Sequence, residues 1–151
     1  MHYKTVKDVV DYSRKLHQQI SKLYQEISQD QTQERVKMLL DYLQRHEAHL
    51  EKSLNQFEHD KSQAVLDSWF QYAPDQSITE VLESIEITNH MSTDEVIAMA
   101  LKLDDYFIEL YEGMVENASS SAVKSVFQNL LEMEQQEKIR TSRAALTIHD
   151  M

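Results

Sequence analysis

Residues 16–26 read LHQQISKLYQE, and residues 103–113 read LDDYFIELYEG. Apolar residues recur within both stretches at steps of three and four, which is the period of an amphipathic helix. Aligning the stretches superposes a polar residue and a tyrosine at an offset of 87 residues (104 − 17 = 87): His17 on Asp104, and Tyr24 on Tyr111. The alignment predicts two helices that are copies of one structural unit.

The same apolar period predicts four long helices in two pairs. The first pair covers about 6–27 and 36–59, with a short polar break at 30–32 between its members. The third helix follows Ser92, which forms a capping-box pattern with the Glu three residues later. The serines at 119–121 can cap the fourth helix. Each pair therefore reads as a helical hairpin with a short turn.

The stretch 60–91 separates the two hairpins. It contains the only proline, Pro74, and two shorter apolar patches, so it reads as a long crossover with short helical pieces. We predict an all-α chain with one domain, 1–151, formed by hairpins 4–59 and 92–148. Two short-turn hairpins joined by one long connection give the topology of a ferritin-like four-helix bundle. A helical repeat and a longer coiled coil are the alternatives.

The composition narrows the function classes. One Gly and one Pro leave little material for β-hairpins or phosphate-binding loops, and the absence of Cys removes disulfides and thiolate metal sites. With 15 basic and 26 acidic residues the net charge is −11, which disfavours nucleic acid as a partner. No apolar run reaches about 18 residues, and the N-terminus is charged where a signal peptide is apolar. We therefore expect a cytoplasmic protein that does not bind a membrane.

Helices two and four extend the internal repeat with an offset of 88, which is expected if the hairpins differ by one turn residue. This register pairs His46 with Glu134 and His49 with Glu137. Residues three apart lie on one helix face, so each helix presents two side chains that can grip one ion. The register thus predicts a polar site at the centre of the bundle.

Six residues of metal-ligating type occupy this predicted centre. Several of them project from apolar stripes, where an unpaired charge is unfavourable unless a cation, a proton or a hydrogen-bond donor accompanies it. The six candidate metal ligands are His17, His46, His49, Asp104, Glu134 and Glu137.

Each of these residues also has a simpler interpretation. A single inward histidine is more often a hydrogen-bonded core residue than a ligand. The acidic run around Glu134 can be a solvated helix face, and His46 and His49 can flank the outer edge of helix two in RHEAHLEK. The joint case for a metal depends on the repeat, because one register superposes both the apolar residues and the candidate ligands.

In this pattern the chain resembles the rubrerythrin-like branch of the ferritin-like superfamily. Helices one and three of that family carry a Glu, an apolar residue three later and a Tyr seven later. These places are filled here by His17, Ile20 and Tyr24 and by Asp104, Phe107 and Tyr111. Helices two and four of the family carry Glu-x-x-His, against His46-x-x-His49 and Glu134-x-x-Glu137. The resemblance implies a carboxylate-bridged di-iron site that oxidises iron or reduces peroxide or dioxygen.

The substitutions change what this site can hold. Only Glu134 and His49 keep the family residue, and His46 removes one of the two carboxylates expected to bridge the metals. The sequence therefore predicts a mononuclear or mixed site for iron, with manganese and zinc as alternatives.

Three functions remain open at this point. The first is a ferritin-like metal-binding protein with oxidoreductase activity on a small oxidant. The second is a metal-free bundle in which the same side chains form histidine–carboxylate hydrogen bonds, serving as a structural or interaction module. We expect such a module to be a homodimer joined through the crossover. The third is a ligand-binding bundle that uses the aromatic residues Trp69, Phe70 and Tyr72.

Overall fold

The structure is a computed structural model that describes residues 3–61, 63–71, 78–118 and 120–149. Four long helices form its body, and shorter elements lie before and between them. In chain order the described elements are β1 (Tyr3–Thr5), α1 (Val6–Asp30), α2 (Glu34–Asp60), α3 (Gln63–Leu66), β2 (Trp69–Gln71), α4 (Ile78–Glu83), α5 (Thr93–Asn117) and α6 (Ser121–His149). Helix α1 packs mainly on α2, and α5 packs mainly on α6. The two predicted hairpins are therefore present.

Side-chain caps fix where the helices begin. The predicted capping box at Ser92 is confirmed, since its hydroxyl accepts from the backbone N–H of Glu95 while the Glu95 carboxylate accepts from that of Ser92. An equivalent box that the sequence analysis missed opens α1, between Thr5 and Asp8. The hydroxyl of Ser120 accepts from the N–H of Val123 and caps α6, which confirms the predicted serine cap.

The crossover runs the full length of the bundle. Strand β2 pairs antiparallel with β1, so this part of the crossover lies where α1 begins. Near its other end, the Gln31 side chain donates to the carbonyl of Thr88 and accepts from the N–H of Met91, where α1 ends. Helices α2 and α5 therefore start at the same end of the bundle and run parallel. This is the topology expected of a ferritin-like bundle rather than an up-down-up-down one.

The crossover contains the expected helical pieces, α3 and α4, and a feature that was not predicted, the two-stranded ribbon of β1 and β2. Strands of three residues are too short to show an alternating pattern. Pro74 and Tyr72 lie outside the described residues. Within the described ranges no helix has the length and apolar character that crossing a membrane requires.

The internal repeat keeps one offset throughout. Helices α1 and α5 start at 6 and 93 and end at 30 and 117, and α2 and α6 start at 34 and 121, all 87 residues apart. The predicted offset of 88 in helices two and four is therefore wrong, because the two hairpin turns have the same length. The corrected register superposes Glu47 on Glu134 and Leu50 on Glu137.

The long helices enclose one apolar core. Its largest fully buried side chains include Phe107 and Phe127 from the second hairpin, and Leu39 and Leu40 from the first. Burial of such side chains contributes roughly 1.5–3 kcal/mol each and holds the hairpins together. Because the four helices pack together, side chains that point inward from the middle of α1, α2, α5 and α6 lie together in the core, where there is little water.

Candidate functional site

Charged side chains from all four long helices meet in the middle of this apolar core. We name this group the core cluster. It consists of His17 on α1, Glu47 on α2, Asp104 on α5, and Glu134 and Glu137 on α6, all at most 4% exposed. Because charged groups are rarely buried without partners, the contacts of each member decide what the cluster can do.

His17 lies between two carboxylates. Its Nε2 is 2.7 Å from Oε1 of Glu134, and its Nδ1 is hydrogen-bonded to Oε2 of Glu47. The ring stacks on Phe107, with centroids 3.9 Å apart and an interplanar angle of 11°. Burial alone lowers the pKa of His17, but attraction by Glu134 and Glu47 outweighs it and raises the pKa from 6.5 to about 10. His17 is therefore an imidazolium that donates from both nitrogens.

A second histidine connects the cluster to the surface. Nδ1 of His46 is 2.8 Å from Oε1 of Glu137, and the His46 side chain is 23% exposed. The Tyr42 ring lies 4.2 Å from the His46 ring, centroid to centroid. The exposed guanidinium of Arg140 lies 3.6 Å from Oε2 of Glu137, too far for a hydrogen bond. Glu137 is thus the cluster member that lies beside partly exposed basic side chains.

Three carboxylate oxygens of the cluster have no hydrogen-bond partner among the described residues. They are Oδ2 of Asp104, Oε2 of Glu134 and Oε2 of Glu137, each almost completely shielded from solvent. All three belong to the second hairpin. A buried acceptor without a partner costs about 1–3 kcal/mol, and a charged one costs more, so these atoms favour a proton or a cation.

The acid–base balance of the cluster points the same way. Burial raises the pKa of Asp104 well above its usual 3.8, and repulsion by Glu47 and Glu134 raises it further. Burial also raises the pKa of Glu47, although His17 partly offsets this effect. Among the described residues, the four carboxyls of the cluster share His17 as their one fully buried cation. The cluster therefore has a deficit of positive charge.

Two buried tyrosines lie on either side of the cluster. Tyr24 follows His17 by two helical turns, and Tyr111 follows Asp104 by two turns on a helix that runs the other way. Burial, followed by the nearby carboxylates, raises the pKa of both phenols well above 10, so both are neutral. Ser13 lies beside the Tyr111 hydroxyl. The two phenols therefore add no charge to the centre of the bundle.

The structure brings together five of the six predicted ligands and excludes one. His17, Asp104, Glu134 and Glu137 are in the cluster, and His46 is at its rim. His49 is exposed on the outer face of α2 and contacts none of them. That prediction is wrong because it depended on the offset of 88.

Glu47 is the functional residue that the sequence analysis missed. It lies four residues after Leu43 and three before Leu50, so it shares the buried stripe of α2. This spacing was visible in the sequence, whereas His49 fits no such stripe. In the corrected register, Leu50 stands where the ferritin-like pattern Glu-x-x-His has its histidine.

The cluster does not fit a carboxylate-bridged pair of metal ions. Glu47 and Glu134, which superpose in the repeat, are both hydrogen-bonded to His17, and Leu50 offers no ligand atom. Within the described ranges, no three His, Asp or Glu side chains converge closely enough to hold an ion as they stand. The second hairpin nevertheless presents three buried carboxylate oxygens without a hydrogen-bond partner among the described residues, and carboxylate oxygen is a donor type that divalent cations accept.

A scan against protein-family models and a search among curated proteins both gave no match. Among solved structures, the chain is similar to a crystal structure of a Thermotoga maritima protein provisionally described as a ferritin-like diiron-carboxylate protein. The TM-score is 0.63, with 15% sequence identity over 96% of this chain and 97% of that chain. This similarity confirms the predicted all-α, ferritin-like fold.

Proposed function

We propose that the chain is a ferritin-like metal-binding protein that holds one divalent cation in the core cluster. The ligands are Asp104, Glu134 and Glu137, with His46 available at the rim. The observation that carries this proposal is the set of three buried carboxylate oxygens without a hydrogen-bond partner among the described residues. One divalent cation placed among them supplies the missing positive charge and the missing contacts together.

His17 limits the site to one ion. As an imidazolium held by Glu47 and Glu134, it already supplies a positive charge on the side of the first hairpin. Leu50 removes the ligand that a second ion needs on α2. Asp104, Glu134 and Glu137 would have to rotate about their side-chain bonds to share one ion, because within the described ranges they do not converge as they stand.

Iron is the metal that we favour, and manganese and zinc are the alternatives, since oxygen and imidazole ligands accept all three. When bound by these residues, a redox-active ion would supply electrons for the reduction of peroxide or dioxygen, whereas a fully coordinated zinc ion would be structural. The chain's own groups contribute a water-poor core and two neutral tyrosines. The partly exposed His46 marks the point where an ion enters.

Metal content measured on purified protein tests the proposal. Untagged protein is prepared without chelator, loaded anaerobically with Fe(II), Mn(II) or Zn(II) in separate samples, desalted and measured by elemental analysis. We expect one retained ion per chain, and we expect Asp104→Asn to lose it while remaining folded by circular dichroism.

The matched control is His49→Ala, which removes an exposed histidine from α2 and should keep the ion. If folded Asp104→Asn retains as much metal as the wild type, the ligand assignment is wrong. If no metal is retained under any loading condition, the metal-binding function is wrong.

A metal-free bundle is the second candidate, and the double pairing of His17 favours it. Both ring nitrogens have carboxylate partners, and the His46–Glu137 pair is likewise complete without an ion. Under this alternative no ion accompanies Asp104, chelators leave the melting temperature unchanged, and the bundle acts as a structural or interaction module. The predicted homodimer is then tested by sedimentation velocity.

A further inference from the structure

A groove of about 350 Å³ lies on the surface between α2 and α6. Four of the eight residues that line it are arginines. We name it the arginine groove, and its lining residues are Arg35, Met38, Tyr42 and Arg45 from α2, and Arg140, Arg143, Ala144 and Thr147 from α6. On each helix these residues lie three or four positions apart, except for the neighbours Arg143 and Ala144, so each set forms one stripe that faces the other.

The charge of the groove is opposite to that of the chain. The chain has 15 basic and 26 acidic residues, yet the lining contains four of the basic residues and none of the acidic ones. The guanidinium groups of Arg45 and Arg143 make no hydrogen bond or ion pair with any described residue. Because like charges that converge repel each other, such a cluster favours an anionic occupant.

The groove also has an apolar surface. Met38 is 55% exposed, although it lies opposite α6 and within reach of the half-buried Tyr42 and Ala144. A purely inorganic anion leaves this surface uncovered. An occupant with an apolar body and one acidic group satisfies both the arginines and the exposed methionine.

One end of the groove meets the rim of the core cluster. Tyr42 lies against His46, and Arg140 lies 3.6 Å from Oε2 of Glu137. An acidic group bound at this end shares Arg140 with Glu137. The groove is nevertheless a separate site, because its lining includes no member of the core cluster.

We propose that the arginine groove binds a small organic anion with an aromatic or aliphatic body and a carboxylate, sulfonate or phosphate group. The apolar body lies on Met38, Tyr42 and Ala144. The acidic group pairs with the arginines, for which planar guanidinium groups are suited. This site goes beyond the proposed metal site and does not require a metal.

The test uses two probes that differ in charge, on the full chain freed of metal by chelation. The anionic probe is 8-anilinonaphthalene-1-sulfonate, and the neutral probe is N-phenyl-1-naphthylamine, which lacks the sulfonate. We expect the anionic probe to bind saturably with one molecule per chain, and laurate to displace it. In Arg45→Gln/Arg143→Gln the Kd for the anionic probe should rise at least tenfold, while the Kd for the neutral probe changes less than twofold.

The matched control is Lys22→Gln/Lys124→Gln, which removes the same charge from exposed positions outside the groove. It should leave the Kd within twofold of the wild type. An equal loss of affinity in both double variants means that only net charge matters and overturns the proposal. The absence of saturable binding to the wild type also overturns the proposal. A third contrary result is a dimer, seen by sedimentation, that Arg45→Gln/Arg143→Gln dissociates, since the groove is then an interface between two copies.

Discussion

The two hairpins of this bundle share a backbone plan but differ in the chemistry of their inner faces. Helices α1 and α5 have the same length, both open with a capping box, and both end at turns of equal length. Yet the first hairpin contributes a buried cation to the centre, and the second contributes carboxylates alone. A repeated scaffold can therefore keep its fold while its halves take different electrostatic roles.

The difference is confined to two of the three polar positions of the repeat. The corrected register pairs His17 with Asp104, Glu47 with Glu134, and Leu50 with Glu137. In the first hairpin the charged groups are paired through His17. In the second, each of the three carboxylates keeps a buried oxygen without a hydrogen-bond partner among the described residues. Within the core cluster, the buried oxygens without a hydrogen-bond partner among the described residues thus all belong to the second hairpin, although His17 of the first hairpin also pairs with Glu134.

The largest effect is expected from removing the cation of the first hairpin. His17→Ala leaves Glu47 and Glu134 buried without their common donor, and breaking a buried pair this way costs about 3–5 kcal/mol. The equivalent change in the second hairpin, Asp104→Asn, should change the free energy of unfolding of the metal-free protein by less than about 1 kcal/mol, since burial raises the pKa of Asp104 and so already favours the neutral form that the amide resembles. Urea denaturation at pH 7 measures both variants.

If His17→Ala fails to fold, the double variant His17→Ala/Glu47→Gln provides the check. The added substitution removes the charge of Glu47, one of the two carboxylates that lose their donor in His17→Ala, so the double variant should regain part of the lost stability. A His17→Ala protein with the stability of the wild type contradicts the view that His17 is the cation on which the first hairpin depends.

The second prediction concerns the ion that the second hairpin lacks. A divalent metal at 100 times its Kd should stabilise the wild type by about 2.7 kcal/mol, because it binds the folded state alone. Asp104→Asn should show no such gain, whereas His49→Ala should show all of it. Thermal melts with and without metal measure the difference, and an equal gain in Asp104→Asn places the ion elsewhere.

The third prediction tests whether the capping boxes of α1 and α5, which have the same geometry, contribute equally to stability. Thr5→Ala and Ser92→Ala remove the capping hydroxyls of α1 and α5, and each should lower the free energy of unfolding by about 1 kcal/mol. Urea denaturation measures both. Losses that differ more than about twofold would show that the equal geometry conceals unequal contributions, for example from the β1–β2 pairing next to Thr5.

These hairpins also show how far the sequence determines the structure. The positions of four helices and two turns follow from apolar periods and caps, because such signals are local. The spacing of Glu47 from Leu43 and Leu50 also predicts that Glu47 points inward. The sequence analysis instead aligned the histidines of RHEAHLEK with Glu134 and Glu137, which shifted the repeat register by one residue. The β1–β2 ribbon joins short segments that are distant in sequence, so no local period marks it.

The chemistry of the site is harder to predict than its location. The apolar stripes place His17, Asp104 and Glu134 at the centre without any structure. Which nitrogen meets which carboxylate, and which oxygens remain without partners, depends on side-chain rotation between helices more than 80 residues apart in sequence. The same holds for the arginine groove, whose two stripes become one surface only when α2 and α6 pack together.

The smallest expected effect comes from an acidic pair that only the first hairpin has. Glu58 on α2 faces Asp11 on α1, near Lys7 and Arg14, whereas the repeat places alanines at the equivalent positions 98 and 145. Burial, together with hydrogen bonding to Asp11, raises the pKa of Glu58 from 4.5 to about 7. The pKa of Asp11 is lowered below 3.8, because hydrogen bonds from Glu58 and Lys7 outweigh its burial. The two carboxyls thus share one proton at pH 5.

The sign of the pH dependence follows from these directions. Because the folded state holds the Glu58 proton more tightly than the unfolded state, the pair's contribution to stability is present below pH 4.5 and is lost as the pH rises through about 7. The contribution of Asp11 to stability has the opposite pH dependence and is lost only as the pH falls below 3.8.

Glu58→Gln keeps a donor to Asp11 at every pH, so it should match the wild type at pH 5. At pH 8 it should be more stable by up to about 1 kcal/mol, a gain limited by solvent screening. Urea denaturation at both pH values measures this, with the exposed Glu132→Gln on α6 as control. A gain at pH 8 that Glu132→Gln shares reflects net charge, and only a gain specific to Glu58→Gln assigns this pH response to the first hairpin.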